Sequence, residues 1–326
     1  MYLKMLDRAR CYVQRLLYSD HYAIRLLRWM ITLGILVASI WFIAQKVYSE
    51  YITISASRIN LDVEKVLISW LCVTASTLLG AWEWTLLIRA LGGHLNPITG
   101  MRIHLISGLG KYIPGYIWPY LSKAHLAIRC GVPTSIAIGS VTGELVIIYL
   151  SGILLLLVSL PFSGLIGETT GDAQVGITFA SGCAIASFLP GVLLDNRFGK
   201  FLGFGKAANW KGVIFVIVAV ALTWCLLGFG FYMLDASIEP SVGNPWKLLA
   251  GLISALLGGQ LALFIPMGIG VREAILVAFL NLDKPAWLVI LMAVIFRLEM
   301  TLGEVFSTLL VVLWSVAKQA HNNPKG

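Results

Sequence analysis

The chain has 326 residues, 58% of them hydrophobic and only 12% charged, with a mean hydropathy of +0.85; soluble domains carry about 25% charged residues, so a water-soluble globular fold is excluded. The formal charge of +8 would suggest nucleic acid in a soluble protein, but here the basic residues gather in loops beside apolar runs. That is the positive-inside pattern of a membrane protein, and nucleic acid is not an expected partner.

Residues 1–28 are polar and basic, with Leu3, Met5, Tyr12, Val13, Leu16 and Leu17 among the arginines. They read as an amphipathic segment lying on an anionic cytoplasmic leaflet. No cleavable signal peptide is expected, and the first apolar run is expected to stay as an anchor.

A single membrane domain follows over 29–317. Six stretches, 29–47, 66–87, 136–160, 175–194, 213–234 and 286–317, each supply roughly the 20 apolar residues that a hydrocarbon core of about 30 Å requires. Loop charges orient them. Lys4, Arg8, Arg10, Arg15, Arg25 and Arg28 precede the first span, Arg89, Arg102, Lys111, Lys123 and Arg129 follow the second, and Arg197, Lys200, Lys206 and Lys211 follow the fourth. The acids Glu168, Asp172, Asp235 and Glu239 lie opposite. Both termini, including the tail 318–326, are therefore expected in the cytoplasm, with the chain multi-pass in the plasma (inner) membrane.

Two further apolar regions are broken in mid-run, one at Pro114-Gly115 and one at Pro266, Gly268 and Gly270. Each reads as two half-length helices around a breaker. Proline removes a backbone donor, and the freed polar groups are tolerated at membrane depth only inside protein or against a wet cavity. Pro114 and Pro266 are 152 residues apart, as are Pro133 and Pro285. This weak duplication gives repeats of about 66–160 and 213–317, inverted if both hairpins re-enter. The segment 248–271 is also uncharged and long enough to cross outright, which would put the C-terminus outside; Lys318 and Lys325 favour the cytoplasm. The expected architecture is all-α, with about six full spans and two re-entrant hairpins. Inverted repeats of broken helices place transporter substrates near the bilayer midplane.

The run Gly110-Lys111-Tyr112-Ile113-Pro114-Gly115-Tyr116-Ile117-Trp118, followed by Gly131-Val132-Pro133 and Glu144, resembles the lysylphosphatidylglycerol synthase transmembrane family. In the second half, Phe264-Ile265-Pro266-Met267-Gly268-Ile269-Gly270-Val271-Arg272-Glu273-Ala274 is similar to that family's Pro-Gly-Gly-x-Gly-x-Arg-Glu signature, with Met267 in place of the commoner glycine. Arg297 falls where the family's last helix carries an arginine. The resemblance implies a flippase-like protein related to the flippase half of the multiple peptide resistance factor, which moves aminoacylated phosphatidylglycerol between leaflets. Bifunctional members carry a soluble synthase domain after the membrane part; with the chain ending at Gly326, lipid aminoacylation is not expected.

Ionisable groups inside spans are functional candidates by default. Glu83, Glu144, Arg297, Glu299 and Glu304 lie in apolar context. Arg272 and Glu273 follow a glycine-rich breaker, where a helix N-terminus favours anions. Lys111, Arg272 and Arg297 are the candidate cations for a head-group phosphate; Pro114, Gly115, Pro266, Gly268 and Gly270 are the candidate cavity-lining breakers, and Glu144, Glu273 and Glu304 the intramembrane acids. Each pairs equally well as a structural ion pair. Trp82, Trp84, Tyr116, Trp118 and Tyr120 read as interface anchors. His94, His104 and His125 lack metal-ligand spacing, and Cys11, Cys72, Cys130, Cys183 and Cys225 form no CxxC pair. No cofactor or metal is expected.

The favoured function is a flippase-like transporter of a phosphate-bearing lipid, either an aminoacylated phospholipid or a polyprenyl-phosphate-linked sugar. Its expected partners are membrane lipids and the lipid-linked substrate, with a second copy or a lipid-modifying enzyme as a candidate protein partner. The rival is a membrane-embedded glycosyltransferase using Asp62 and Glu64; a third reading is an accessory subunit of a lipid or envelope-polysaccharide enzyme.

Overall fold

The computed structural model describes residues 61–112, 117–164, 209–238, 243–261, 268–280 and 283–322. These residues are helical throughout apart from connecting turns. In chain order the helices are α1 (Val63–Ala90), α2 (Pro97–Gly108), α3 (Trp118–Arg129), α4 (Thr134–Ser159), α5 (Trp210–Ile238), α6 (Pro245–Leu261), α7 (Val271–Leu280) and α8 (Ala286–Asn322). A 3-10 turn, Leu109–Tyr112, extends α2, and another, Leu160–Phe162, extends α4.

Local chemistry sets the helix starts. Asp62 caps α1, its Oδ1 accepting from the Glu64 amide at 3.2 Å, and Asn96 caps α2 by accepting from the Ile98 amide at 3.1 Å. Asn244 caps α6 through the Trp246 amide at 2.9 Å. Pro97 and Pro245 occupy first helical positions, where the missing amide costs nothing. Gly131 stops α3 with φ +89°, a left-handed conformation that glycine adopts without strain.

Four of these helices are long and apolar enough to cross a membrane: Val63–Ala90, Thr134–Phe162, Trp210–Ile238 and Ala286–Lys318. They correspond to the spans expected at 66–87, 136–160, 213–234 and 286–317. The expected spans 29–47 and 175–194 lie outside the described residues. On α8, Leu298, Leu302, Leu309 and Leu313 are all more than half exposed. This apolar stripe suits lipid, not water.

Helices α1 and α5 run antiparallel along their whole length. At one end the Asp62 amide donates to Ser237 O at 2.9 Å, and at the other the Asn209 amide donates to Ala90 O at 2.7 Å. Between them Gly230 lies against Ser69 and Cys72, so a small residue lets the backbones approach. Helix α8 runs parallel to α1, with Ser69 donating to Glu299 at 2.6 Å, Gly303 against Thr74, and Val311 packed with Ala81 and Leu105.

The main core gathers Trp224, Phe231, Leu252, Leu256, Leu276 and Phe296 from α5 to α8. A second cluster joins Trp84 and Ile88 of α1 to Leu95, Ile103, Ala127, Val132 and Ala137. The start of α2 and the end of α3 thus meet at the Ala90 end of the bundle. The start of α6 and the end of α7 meet at the opposite end, where Lys247 pairs with Asp283 at 2.7 Å and Lys284 with Asp235 at 2.9 Å.

Candidate functional site

The α6–α7 pair is closed by two glycines. Gly268 has φ +63°, and a Cβ placed there would lie 2.7 Å from the Gly259 Cα. A side chain at 268 is therefore barred twice, by backbone conformation and by space. This contact brings the start of α7 against α6 and delivers Arg272 and Glu273 to the side facing α8.

Glu273, 2% exposed, uses both oxygens. Oε2 accepts from the Gly270 amide at 2.7 Å, the reach-back half of a capping box, and Oε1 meets Arg297 Nη2 at 2.9 Å. The carboxylate thus occupies the helix end that the sequence offers to a phosphate. Arg272 stands beside it, its Nε buried without a hydrogen-bond partner among the described residues. Among the described residues, two guanidiniums against one carboxylate leave one positive charge.

These three side chains line a cavity with Leu252, Ala255, Leu276 and Phe296. Its empty space is about 300 Å³, part of it open to solvent.

Lys111 does not line this cavity. It forms an ion pair with Glu304, linking the end of α2 to α8, so its charge is met within the protein. Glu144 lies in a third place, where Lys123 donates to its two oxygens at 3.0 and 2.7 Å. The candidate residues therefore divide into three ion-paired groups. Gly268 and Gly270 sit in the turn that opens α7, while Pro114, Gly115 and Pro266 lie outside the described residues.

Lys123 looks in the sequence like one more loop cation, but it is 5% exposed. Pro119, Lys123 and Ala127 are the buried residues of α3, four apart and hence on one face, but the sequence does not show that this face turns inward. Asp235 and Lys284 are equally hidden in the sequence, where each stands near a span end. The expectation for Trp84 is corrected. It is fully buried, with Lys123 Nζ 5.3 Å from its ring, and is not an interface anchor. Glu83 is buried and accepts from Thr223 at 2.6 Å.

Of the two carboxylates that the glycosyltransferase reading uses, Glu64 is exposed at the start of α1. Asp62 caps α1 and pairs with Lys65 at 3.1 Å, whose hydrogen bond holds the Asp62 carboxyl below its ordinary range. A scan of protein-family models and a search of curated proteins return no match to this chain.

Proposed function

We propose that this protein is a flippase-like transporter that carries a phosphate-bearing lipid head group between leaflets, the acyl or prenyl tails remaining in lipid. The observation that carries the reading is that, among the described residues, two guanidiniums, Arg272 and Arg297, share one carboxylate, Glu273, in a cavity between α7 and α8. A half-buried charge of that kind inside a membrane protein is tolerated where a counter-ion visits, and guanidiniums match phosphate oxygens in fork geometry. The resemblance of residues 264–274 to the lysylphosphatidylglycerol synthase transmembrane family points the same way.

In this reading α2–α3 and α6–α7 are re-entrant hairpins entering from opposite faces. The Lys247–Asp283 pair supports this for the second hairpin, since its two ends share one face. Packing of Leu95 with Val132 supports it for the first. An inverted repeat gains support from charge placement: at the 152-residue offset Glu144 falls beside Arg297, and each pairs back to its own hairpin helix, with Lys123 and Glu273. The pairs occupy equivalent places with opposite signs.

Lipid transport consists of exposing the Arg272–Arg297 pocket to one leaflet, seating the phosphate, and releasing it to the other. The test is lipid retention by the purified protein in native mass spectrometry. Phosphatidylglycerol and polyprenyl-phosphate sugars are expected to be retained by the wild type and lost on Arg272→Ala, while an uncharged diacyl glycolipid is not retained by either. Equal retention of charged and uncharged lipids, unaffected by Arg272→Ala, overturns the assignment.

A further inference from the structure

Among the described residues, the acids inside the helix bundle are of two kinds. Glu144, Asp235, Glu273 and Glu304 face Lys123, Lys284, Arg297 and Lys111 respectively. Glu83 and Glu299 meet hydroxyls instead, from Thr223 at 2.6 Å and from Ser69 at 2.6 Å. Glu299 is 4% exposed and Ser69 fully buried. The Ser69 hydroxyl reaches Glu299 Oε2, whereas Oε1 is buried with no hydrogen-bond partner.

The charged groups around Glu299 are turned elsewhere. On α1, Lys65 stands one turn before Ser69 and is held by Asp62 and by Ala236 O, while the Cys72 thiol stands three residues after it. Gly230 of α5 closes against Ser69 and Cys72, and Asp235, farther along α5, is taken by Lys284. On α8 itself Arg297 is directed to Glu273 and Glu304 to Lys111; Arg272 of α7 lies on the Glu273 side.

An ionised Glu299 would have one donor for about four lone-pair sites, and a charge left this way in a low-dielectric interior is costly. The neutral acid fits the same place. Its O–H needs one acceptor, which Ser69 Oγ provides because a hydroxyl accepts as well as donates, and an unmatched neutral oxygen costs less than an unmatched charged one. A hard metal cation fits poorly, since it takes about six oxygens where the two carboxyl oxygens and Ser69 Oγ converge.

We propose that Glu299 is a proton-binding site, neutral in this conformation, that loads and releases a proton as α8 closes on α1 and parts from it. The proton comes from water, forms the carboxyl O–H bond, and returns to water when that bond breaks; no other bond is made or broken. Arg297 lies two residues before Glu299, about 3 Å along the axis of α8. A displacement of α8 at the Arg272–Arg297 pocket therefore also displaces this carboxyl against Ser69. That link to lipid movement rests on the transporter reading above, whereas the proton site does not.

The experiment is infrared spectroscopy of the full chain in dodecyl maltoside, which carries no carbonyl, at about pH 7, where solvated carboxyls, ordinarily near 4, are ionised. The expected spectrum holds a carboxylic-acid carbonyl band with a component that Glu299→Gln removes, that Ser69→Ala moves without removing, that Glu83→Gln leaves in place, and that shifts in D2O as the proton exchanges. Ser69→Ala answers the question even if Glu299→Gln fails to fold, because it deletes one hydroxyl from a helix that alanine suits. Coincident spectra for the wild type and these two variants overturn the site, and a component that never shifts in D2O overturns loading and release. For the link, labelled-lipid movement in liposomes is expected to respond to an imposed pH gradient in the wild type and not in Glu299→Gln; wild-type movement indifferent to the gradient overturns it. If lipids move while the spectra coincide, this inference fails alone; if the acid behaves as expected and no lipid moves, the proton site stands and the link falls with the transporter reading.

Discussion

Glu273 ties the helix it caps to the neighbouring span: one oxygen takes the Gly270 amide at 2.7 Å and the other meets Arg297 at 2.9 Å. Removing only the arginine breaks the ion pair of a carboxylate that is 3% exposed at its side chain but leaves Arg272 in the same cavity. Arg297→Met is therefore expected to destabilise the protein by less than the ~3–5 kcal/mol of a fully stranded buried charge. The double variant Glu273→Gln/Arg297→Met recovers most of that loss, since the carboxamide oxygen that replaces the carboxylate still accepts from the Gly270 amide. Denaturation of the wild type, both single variants and the double variant in one detergent reads the cycle; additive losses would contradict the pairing.

Two ion pairs at the Asp62 end differ mainly in burial. Lys284 and Asp235 are 3% and 1% exposed at their side chains, whereas Asp283 is 45% exposed. Lys284→Met, which strands buried Asp235, is expected to cost about 3–5 kcal/mol, and Lys247→Met, which leaves only the half-exposed Asp283, no more than about 1 kcal/mol. Melting temperatures check the order, and equal losses would argue against a buried lock on α5.

Gly268 and Gly80 make a matched test of backbone freedom. Alanine at 268 meets both a positive φ and the Gly259 backbone, so Gly268→Ala is expected to cost more than about 1–2 kcal/mol. A Cβ at Gly80 meets nothing within 4 Å, and Gly80→Ala in mid-helix is expected to be neutral or stabilising by up to about 1 kcal/mol. Thermal unfolding of the two variants decides it.

Asp62 supplies a pH-dependent contribution. Its carboxyl is held below the ordinary value of 3.8 by the Lys65 hydrogen bond, so the folded state favours the ionised cap. The stabilisation is present above that ordinary value and is lost as pH falls through the lower folded one. Asp62→Asn is expected to melt below the wild type at neutral pH and to converge with it in strong acid. A difference that is constant with pH contradicts the assignment.

The re-entrant reading of α6–α7 predicts sidedness. In a cysteine-free background, Asn244→Cys and Asp283→Cys are expected to react with an impermeant thiol reagent from the same face of sealed vesicles. Reaction from opposite faces would mean that α6–α7 crosses the membrane.

Much of the fold is legible in the sequence because lipid imposes a coarse demand that the chain meets visibly. The span expected at 136–160 runs Thr134–Phe162, and that expected at 213–234 runs Trp210–Ile238; the extra residues are the half-polar ends that hydropathy undercounts. Gly268 and Arg272 are recognisable as a turn and a helix start. Pairing is not legible. Lys123 and Glu144 are 21 residues apart on separate helices, and nothing along the chain says that a loop-like lysine turns inward. Lys111 looks available for phosphate in the sequence because Glu304, 193 residues away, carries no local sign of its partner.

The central claim concerns the two guanidiniums, Arg272 and Arg297, that share Glu273, and lipid movement tests it most directly. Purified protein in liposomes, with labelled aminoacylated phospholipids and labelled polyprenyl-phosphate sugars in one leaflet, is expected to move at least one class to the other. Arg272→Ala is expected to stop that movement while Asp62→Ala and Glu64→Ala leave it intact. Transport of none of these lipids by wild-type protein that is correctly inserted, or transport untouched by Arg272→Ala, would contradict the account.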